Sequence, residues 1–182
     1  MLKSKGTDLL AGRALVGNMH PFMAAELGSR FQLSKVLKTG LIPVVYFAES
    51  PPEALHAYAS LHLKEEVQAE GLVRNIGNFA RFLEAASFSH GCLLNVTNMA
   101  EDCDVERRTV QGYVAILQDL LLAYTVPVFT KRAKRHMVRR PKFYLFDAGV
   151  FRTLRPSGPL DRPEETEGAA LEGSWPSICE PG

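Results

Sequence analysis

Residues 105–124, VERRTVQGYVAILQDLLLAY, form the stretch from which the fold can be predicted. Apolar side chains recur there at intervals of three and four residues, the spacing of one face of an α-helix. That face holds Val110, Val114, Leu117 and Leu121. Polar and small residues occupy the opposite face, so the stretch predicts one long amphipathic helix.

A basic segment follows this helix and separates two predicted strands. The first strand is short, and Pro127 within it indicates an edge position. The basic segment itself, TKRAKRHMVRRPK at 130–142, carries seven Lys and Arg and no acidic residue, and FYLFDAGV at 143–150 reads as the second strand. Upstream, residues 93–104 predict a short helix and a turn, with Asp104 as the N-cap of the long helix. This order is typical of a winged helix-turn-helix, in which the second helix enters the major groove of DNA.

The start of the long helix carries side chains that suit base recognition. Arg107 and Arg108 can each grip guanine with two hydrogen bonds, and Gln111 can do the same for adenine. Gly112 would let the helix backbone come close to DNA. The basic segment suits phosphate contacts, which set affinity and register rather than sequence preference. The candidate phosphate ligands are Lys131, Arg132, Lys134, Arg135, Arg139 and Arg140.

The same pattern has a second interpretation. A solvated helix face followed by a basic loop also occurs in winged helices that dock onto proteins. Asp102, Asp104 and Glu106 lie around the predicted turn, and their charges would oppose a nearby phosphate. Protein docking therefore stays open as an alternative to DNA binding.

A family resemblance covers most of the chain, from Gly6 to about Glu172. The segments that carry it are LLAGRAL at 9–15, HPFMAAEL at 20–27, GLIPVVY at 40–46, AYASLHLKEEVQAEGLVRN at 57–75, FARFLEAAS at 79–87, TVQGYVAILQDLLLAY at 109–124, PKFYLFDAGVFRTLRPSGPLD at 141–161 and EGAALEG at 167–173. In these segments the chain resembles a family of prokaryotic AAA-type ATPases. The resemblance implies a P-loop ATPase core, then a winged helix, then a C-terminal domain of unknown function related to restriction-endonuclease folds.

The sequence departs from that family at both ends. It has no GxxxxGK[ST] loop, so no backbone amides would cradle phosphates and no hydroxyl would hold Mg²⁺. We therefore expect a non-catalytic fragment, with ATP and Mg²⁺ bound only by the intact parent family. By resemblance, Arg13 is a possible phosphate sensor. Asp147 and Glu172 would be candidate acids of a nuclease-like site, which also needs a further acid and a lysine.

The expected fold class is mostly α with a small β wing. We predict the end of an ATPase core and a helical lid-like segment at 1–74, a winged helix-turn-helix at 75–150, and a poorly ordered, truncated start of a C-terminal domain at 151–182. The cysteines and histidines lack metal-site spacing, and no small-molecule substrate is evident. No apolar run approaches the roughly 18 residues of a membrane span. We expect a cytoplasmic protein whose partners are DNA, an ATPase core or a sister subunit.

Overall fold

Short helices and one β-hairpin make up the part of the chain that the structure describes. The structure is a computed structural model, and it describes residues 21–59, 67–68, 71, 73–127, 140–156, 158 and 162–179. The elements are α1 (Ala24–Leu27), α2 (Leu33–Thr39), α3 (Pro43–Tyr46), α4 (Pro51–Ala57), α5 (Ile76–Phe88), α6 (Val96–Cys103), α7 (Arg107–Asp119), β1 (Ala123–Val126), β2 (Lys142–Leu145), α8 (Ala148–Leu154) and α9 (Pro163–Cys179). The predicted class, mostly α with a small antiparallel hairpin, is confirmed.

Three helices enclose the main core. Asn75 and Asn95 cap α5 and α6, because each side-chain oxygen accepts a hydrogen bond from the backbone N–H three residues later. Phe79 and Phe82 of α5 pack against Tyr113 of α7, with ring centroids 5.3 Å and 5.2 Å apart. The apolar face of α7 is therefore turned toward α5, and its polar face is turned outward.

A narrow sheet lies beside these helices. Strands β1 and β2 are antiparallel, with Ala123 opposite Leu145 and Val126 opposite Lys142. The segment 90–94, between α5 and α6, lies against β2: the Gly91 N–H donates to the Phe143 carbonyl at 2.8 Å, and the Phe143 N–H donates to the Cys92 carbonyl at 2.9 Å. The chain order is thus helix, extended segment, helix, turn, helix and hairpin.

The N-terminal helices are attached to α8 through one buried carboxylate. Asp147 is 3% exposed and caps α8 by accepting from the N–H groups of Gly149 and Val150. Its other oxygen accepts from the Leu41 N–H at 2.6 Å, 106 residues earlier in the chain. Nearby, Ile42 and Val45 pack with Val150 in a small apolar cluster. Packing therefore crosses positions 74 and 150, where the sequence suggested domain boundaries.

The long predicted helix is shorter than its pattern suggested. Helix α7 ends at Asp119, and Leu121 adopts a left-handed conformation with φ of 58°. The Leu122 N–H then donates to the Leu117 carbonyl at 2.8 Å, which closes the helix in the usual left-handed C-terminal arrangement. Ala123 is consequently free to pair with β2, so the prediction of a helix through Tyr124 was wrong.

Asp104 has a different role from the predicted one. It is the left-handed residue that ends α6, with φ of 53°, and Glu106 occupies the N-cap position of α7. The turn contains only three residues, and aspartate tolerates the left-handed conformation better than most residues. The end of α6, rather than the start of α7, therefore decides the conformation of Asp104.

The C-terminal segment is also more regular than predicted. Residues Pro163–Cys179 form α9, whereas we expected a poorly ordered tail. Pro163 suits the first turn of a helix, and Ala170 is fully buried against the main core. The burial of Ala170 could not be predicted from the sequence of this segment, which is rich in Glu, Gly and Pro. No helix within the described ranges is long and apolar enough to cross a membrane.

Replacing Gly40 with alanine should disrupt the contact between α2 and α8. Gly40 has φ of 77°, and a Cβ atom there would overlap the Asp147 carboxylate. We expect Gly40→Ala to lower the free energy of unfolding by about 2–4 kcal/mol, through backbone strain and a disturbed cap. Gly28 is the matched control, because its φ is 50° but a Cβ there meets nothing within 4 Å. Gly28→Ala should cost only about 1–2 kcal/mol in the same chemical denaturation experiment. Equal losses for the two variants would contradict this account.

Candidate nucleic-acid interface

The exposed side of α7 gathers the three side chains predicted to read bases. Arg107, Arg108 and Gln111 are all exposed near the start of the helix. The opposite side is anchored in the core, through Val110, Tyr113, Val114 and Leu117. In the described part of the chain, no hydrogen bond or ion pair engages the three polar side chains. They are therefore available to a partner, and their role in base recognition stays a prediction.

Gly112 lies on the same exposed side of α7. A Cβ atom there would meet nothing within 4 Å, and the backbone is ordinary helix. Glycine in an exposed helix interior costs about 1 kcal/mol relative to alanine. Nothing in the described packing requires glycine at this position. A close approach by a partner would account for it.

Carboxylates surround the turn that leads into α7. Glu101, Asp104 and Glu106 line a shallow depression beside Arg107, and Asp102 is exposed nearby. These charges weaken the positive potential that the two arginines create at the helix start. The surface therefore presents cations and anions side by side rather than a uniform basic patch.

The base of the hairpin supplies further positive charge. Arg140 is exposed, and Lys142 begins β2 with a side chain that is 45% exposed. The remaining predicted phosphate ligands lie outside the described residues, as does the possible phosphate sensor Arg13. Those outside the described part of the hairpin are Lys131, Arg132, Lys134, Arg135 and Arg139.

Helix α9 contacts the hairpin base through an acidic side chain. Glu172 Oε1 accepts from Lys142 Nζ at 2.8 Å and from the Tyr144 hydroxyl at 2.6 Å. These two hydrogen bonds, first that from Lys142, hold the pKa of Glu172 below its usual range. Next along α9, the Gly173 carbonyl accepts from the Tyr124 hydroxyl at 2.9 Å, and burial raises the pKa of Tyr124 to about 12. Both tyrosines thus act as donors that bind α9 to the sheet.

His90 completes this attachment by bridging β2 and α9. Its side chain is 5% exposed and stacks on Phe151, with ring centroids 4.3 Å apart. Nδ1 accepts from the Leu145 N–H at 3.0 Å, which leaves the proton on Nε2, 2.9 Å from the Ala169 carbonyl. Burial lowers the pKa of His90, which favours this neutral form. No local sequence pattern indicates this role for His90, because its partners lie 55 and 79 residues away.

The two candidate nuclease acids have separate structural roles. Asp147 is buried and caps α8, and burial raises its pKa to about 6 against the opposing effect of three N–H donors. Glu172 is half exposed and pairs with Lys142. They share no partner among the contacts that the structure describes. Across the same residues, no group of three or more His, Cys, Asp or Glu could hold a metal ion.

Comparison with known proteins gives one match. A family model described as Domain of unknown function (DUF8612) matches residues 30–161, which is well over half of the chain. No curated protein and no solved structure matches significantly. None of these comparisons links the chain to AAA-type ATPases, so that resemblance stays a hypothesis.

The neutral His90 should make stability depend on pH. Since its folded-state pKa lies below the unfolded value, its stabilising contribution is fully present above that unfolded value, and it is lost as pH falls through the folded-state pKa. His90→Gln offers an acceptor and a donor without titrating. Chemical denaturation between about pH 7.5 and about pH 5 should show a smaller acid loss for the variant than for the wild type. Asp147 has a raised pKa, so its contribution to stability changes with pH in the opposite direction. That contribution is the same in the wild type and the variant, so it cancels when the two pH profiles are compared. Parallel pH profiles would refute this role for His90.

Proposed function

We propose that this chain, which belongs to the family described as Domain of unknown function (DUF8612), binds double-stranded DNA through a winged helix-turn-helix. Helix α7 would enter the major groove, and the basic hairpin would contact the phosphate backbone. The observation that carries the proposal is the surface of α7, where Arg107, Arg108 and Gln111 are exposed together and engaged by no described residue.

The order and packing of the elements support a winged helix. Helices α6 and α7 are joined by a three-residue turn, and both pack against α5. The hairpin follows directly, and segment 90–94 lies along β2 as a third extended piece. In a helix-turn-helix of this kind the second helix presents its N-terminal residues to base edges. That end of α7 is where the arginines lie.

The charge distribution supports phosphate contact by the hairpin. The whole chain has a formal net charge of only +1, but residues 131–142 hold seven Lys and Arg without an acid. Such a local cluster binds the DNA backbone by releasing counterions. The absence of a P-loop motif in this sequence accords with a binding role rather than ATP hydrolysis by this chain alone.

Protein docking is a second candidate function. The carboxylates of Glu101, Asp104 and Glu106 beside Arg107 favour it, because they oppose phosphate at the helix start. In this alternative the winged helix packs on an ATPase core or a sister subunit, which is the setting that the resemblance to AAA-type ATPases implies. Such a module would retain no duplex even at low salt.

DNA binding should depend on salt and on the two arginines. Fluorescence anisotropy of a short labelled duplex should give a logarithmic salt slope of about −0.9 for each phosphate neutralised. The double variant Arg107→Ala, Arg108→Ala should lose about 1–3 kcal/mol of binding free energy for each bidentate contact removed. Arg162→Ala removes an exposed arginine just before α9 and is the matched control, with no expected loss. Salt-insensitive binding, or none at low salt, would exclude the proposal.

Gly112 gives a test that separates stability from binding. Gly112→Ala should raise the free energy of unfolding by about 1 kcal/mol, because alanine favours the helix. It should also weaken duplex binding by about 1 kcal/mol, because the added methyl group lies where the DNA approaches. Gly168 is the matched control on α9, also with nothing within 4 Å of its Cβ position. Gly168→Ala should stabilise the protein without changing DNA affinity. Unchanged DNA affinity in Gly112→Ala would show that Gly112 does not lie at the DNA interface.

A further inference from the structure

Lys142 lies where the basic segment rejoins the sheet. It is the last of the seven basic residues between 131 and 142, and it is the first residue of β2. Pairing with Val126 holds its backbone in the hairpin. Its ammonium group is therefore held at the base of the surface that we propose to face phosphate.

Glu172 already forms an ion pair with this ammonium group. The two side chains form an ion pair at 2.8 Å, and the same carboxylate oxygen accepts from the Tyr144 hydroxyl. Its other oxygen lies over Gly91, where a Cβ atom would be only 3.3 Å away. The carboxylate is thus positioned by three neighbours rather than extended into solvent.

Neighbouring contacts of α9 keep Glu172 in this position. The Ala169 carbonyl lies 2.9 Å from His90 Nε2, and the Gly173 carbonyl accepts from the Tyr124 hydroxyl. A Cβ at Gly173 would overlap the His90 ring, so glycine allows α9 to lie this close to the sheet. The helix therefore brings one carboxylate onto one lysine of the proposed interface.

An anion held there competes directly with a phosphate. The pair is half exposed, at 45% for Lys142 and 49% for Glu172, so it is weak and exchangeable. A phosphate approaching Lys142 must displace the carboxylate or remain beside a like charge. Either outcome reduces the contribution of Lys142 to binding.

We propose that Glu172 is a built-in competitor for DNA phosphate at Lys142, so that the docking of α9 sets the DNA affinity of the hairpin. This inference rests on the proposed DNA-binding function. Any event that draws α9 away from the sheet would release Lys142 and tighten binding.

Glu172→Gln tests the competition in the full-length chain. Glutamine keeps an oxygen for the Tyr144 hydroxyl but carries no charge. The freed Lys142 should add one phosphate contact and steepen the logarithmic salt slope by about 0.9. The affinity gain over wild type should then be about threefold larger at about 50 mM than at about 200 mM salt. Glu164→Gln, an exposed α9 substitution with the same change in net charge, should leave the slope unchanged.

A double-mutant cycle with Lys142→Gln tests whether the effect acts through this lysine. Lys142→Gln alone should lower affinity modestly, because it leaves the charge of Glu172 unpaired beside the proposed phosphate contact. Combined with Glu172→Gln, it should abolish the gain. A cooperative thermal transition shows that each variant is folded. If Glu172→Gln alone is not, an affinity of the double variant appreciably below that of the wild type overturns the inference, because the Lys142 and Glu172 side chains together carry no net charge in either protein.

The remaining outcomes separate this inference from the proposed function. Equal gains for Glu172→Gln and Glu164→Gln would overturn the competition and leave DNA binding intact. Duplex binding by Glu172→Gln at a salt concentration at which the wild type no longer binds would support the competition. No retention of duplex by either protein at the lowest salt would overturn the proposed function, and the competition with it.

Discussion

Burial of one face of α7 is the constraint on which the rest of the structure depends. Tyr113 lies against Phe79 and Phe82, and Val110 and Leu117 are fully or almost fully buried in the same core. Apolar burial of this kind is the dominant favourable contribution to folding. Because the helix has one buried side, its rotation about its own axis is set. Arg107, Arg108, Gln111 and Gly112 consequently face outward together, and the candidate interface is a by-product of core packing.

Strand β2 connects that helical core to the rest of the chain. On one edge it pairs with β1, and on the other it bonds to segment 90–94. It also contacts α9, through the Tyr144 hydroxyl and through the His90 ring, which accepts from the Leu145 N–H and faces the Ala169 carbonyl. A four-residue strand thus carries contacts from three parts of the sequence. These contacts join α9 to the base of the basic hairpin, where we propose the DNA contact.

The surroundings of each carboxylate in this protein decide its role. Asp147 and Glu172 are both carboxylates, but Asp147 is buried among N–H donors and holds the N-terminal helices, whereas Glu172 is half exposed and pairs with a lysine. Desolvation raises the pKa of the first, and hydrogen bonds lower the pKa of the second. The same functional group therefore serves as a structural cap in one place and as an exchangeable partner in the other.

The sequence by itself determined the helical periodicity of residues 107–119 and the local concentration of positive charge, because each depends on neighbours within a few residues. The end of α7 at Asp119 and the helix at 163–179 were decided by tertiary contacts, since strand pairing and burial of Ala170 outweigh local preference. The partners of Asp147, His90 and Glu172 lie 106, 79 and 30 residues away. Such contacts have no signature in local spacing, and only the folded chain brings those groups together.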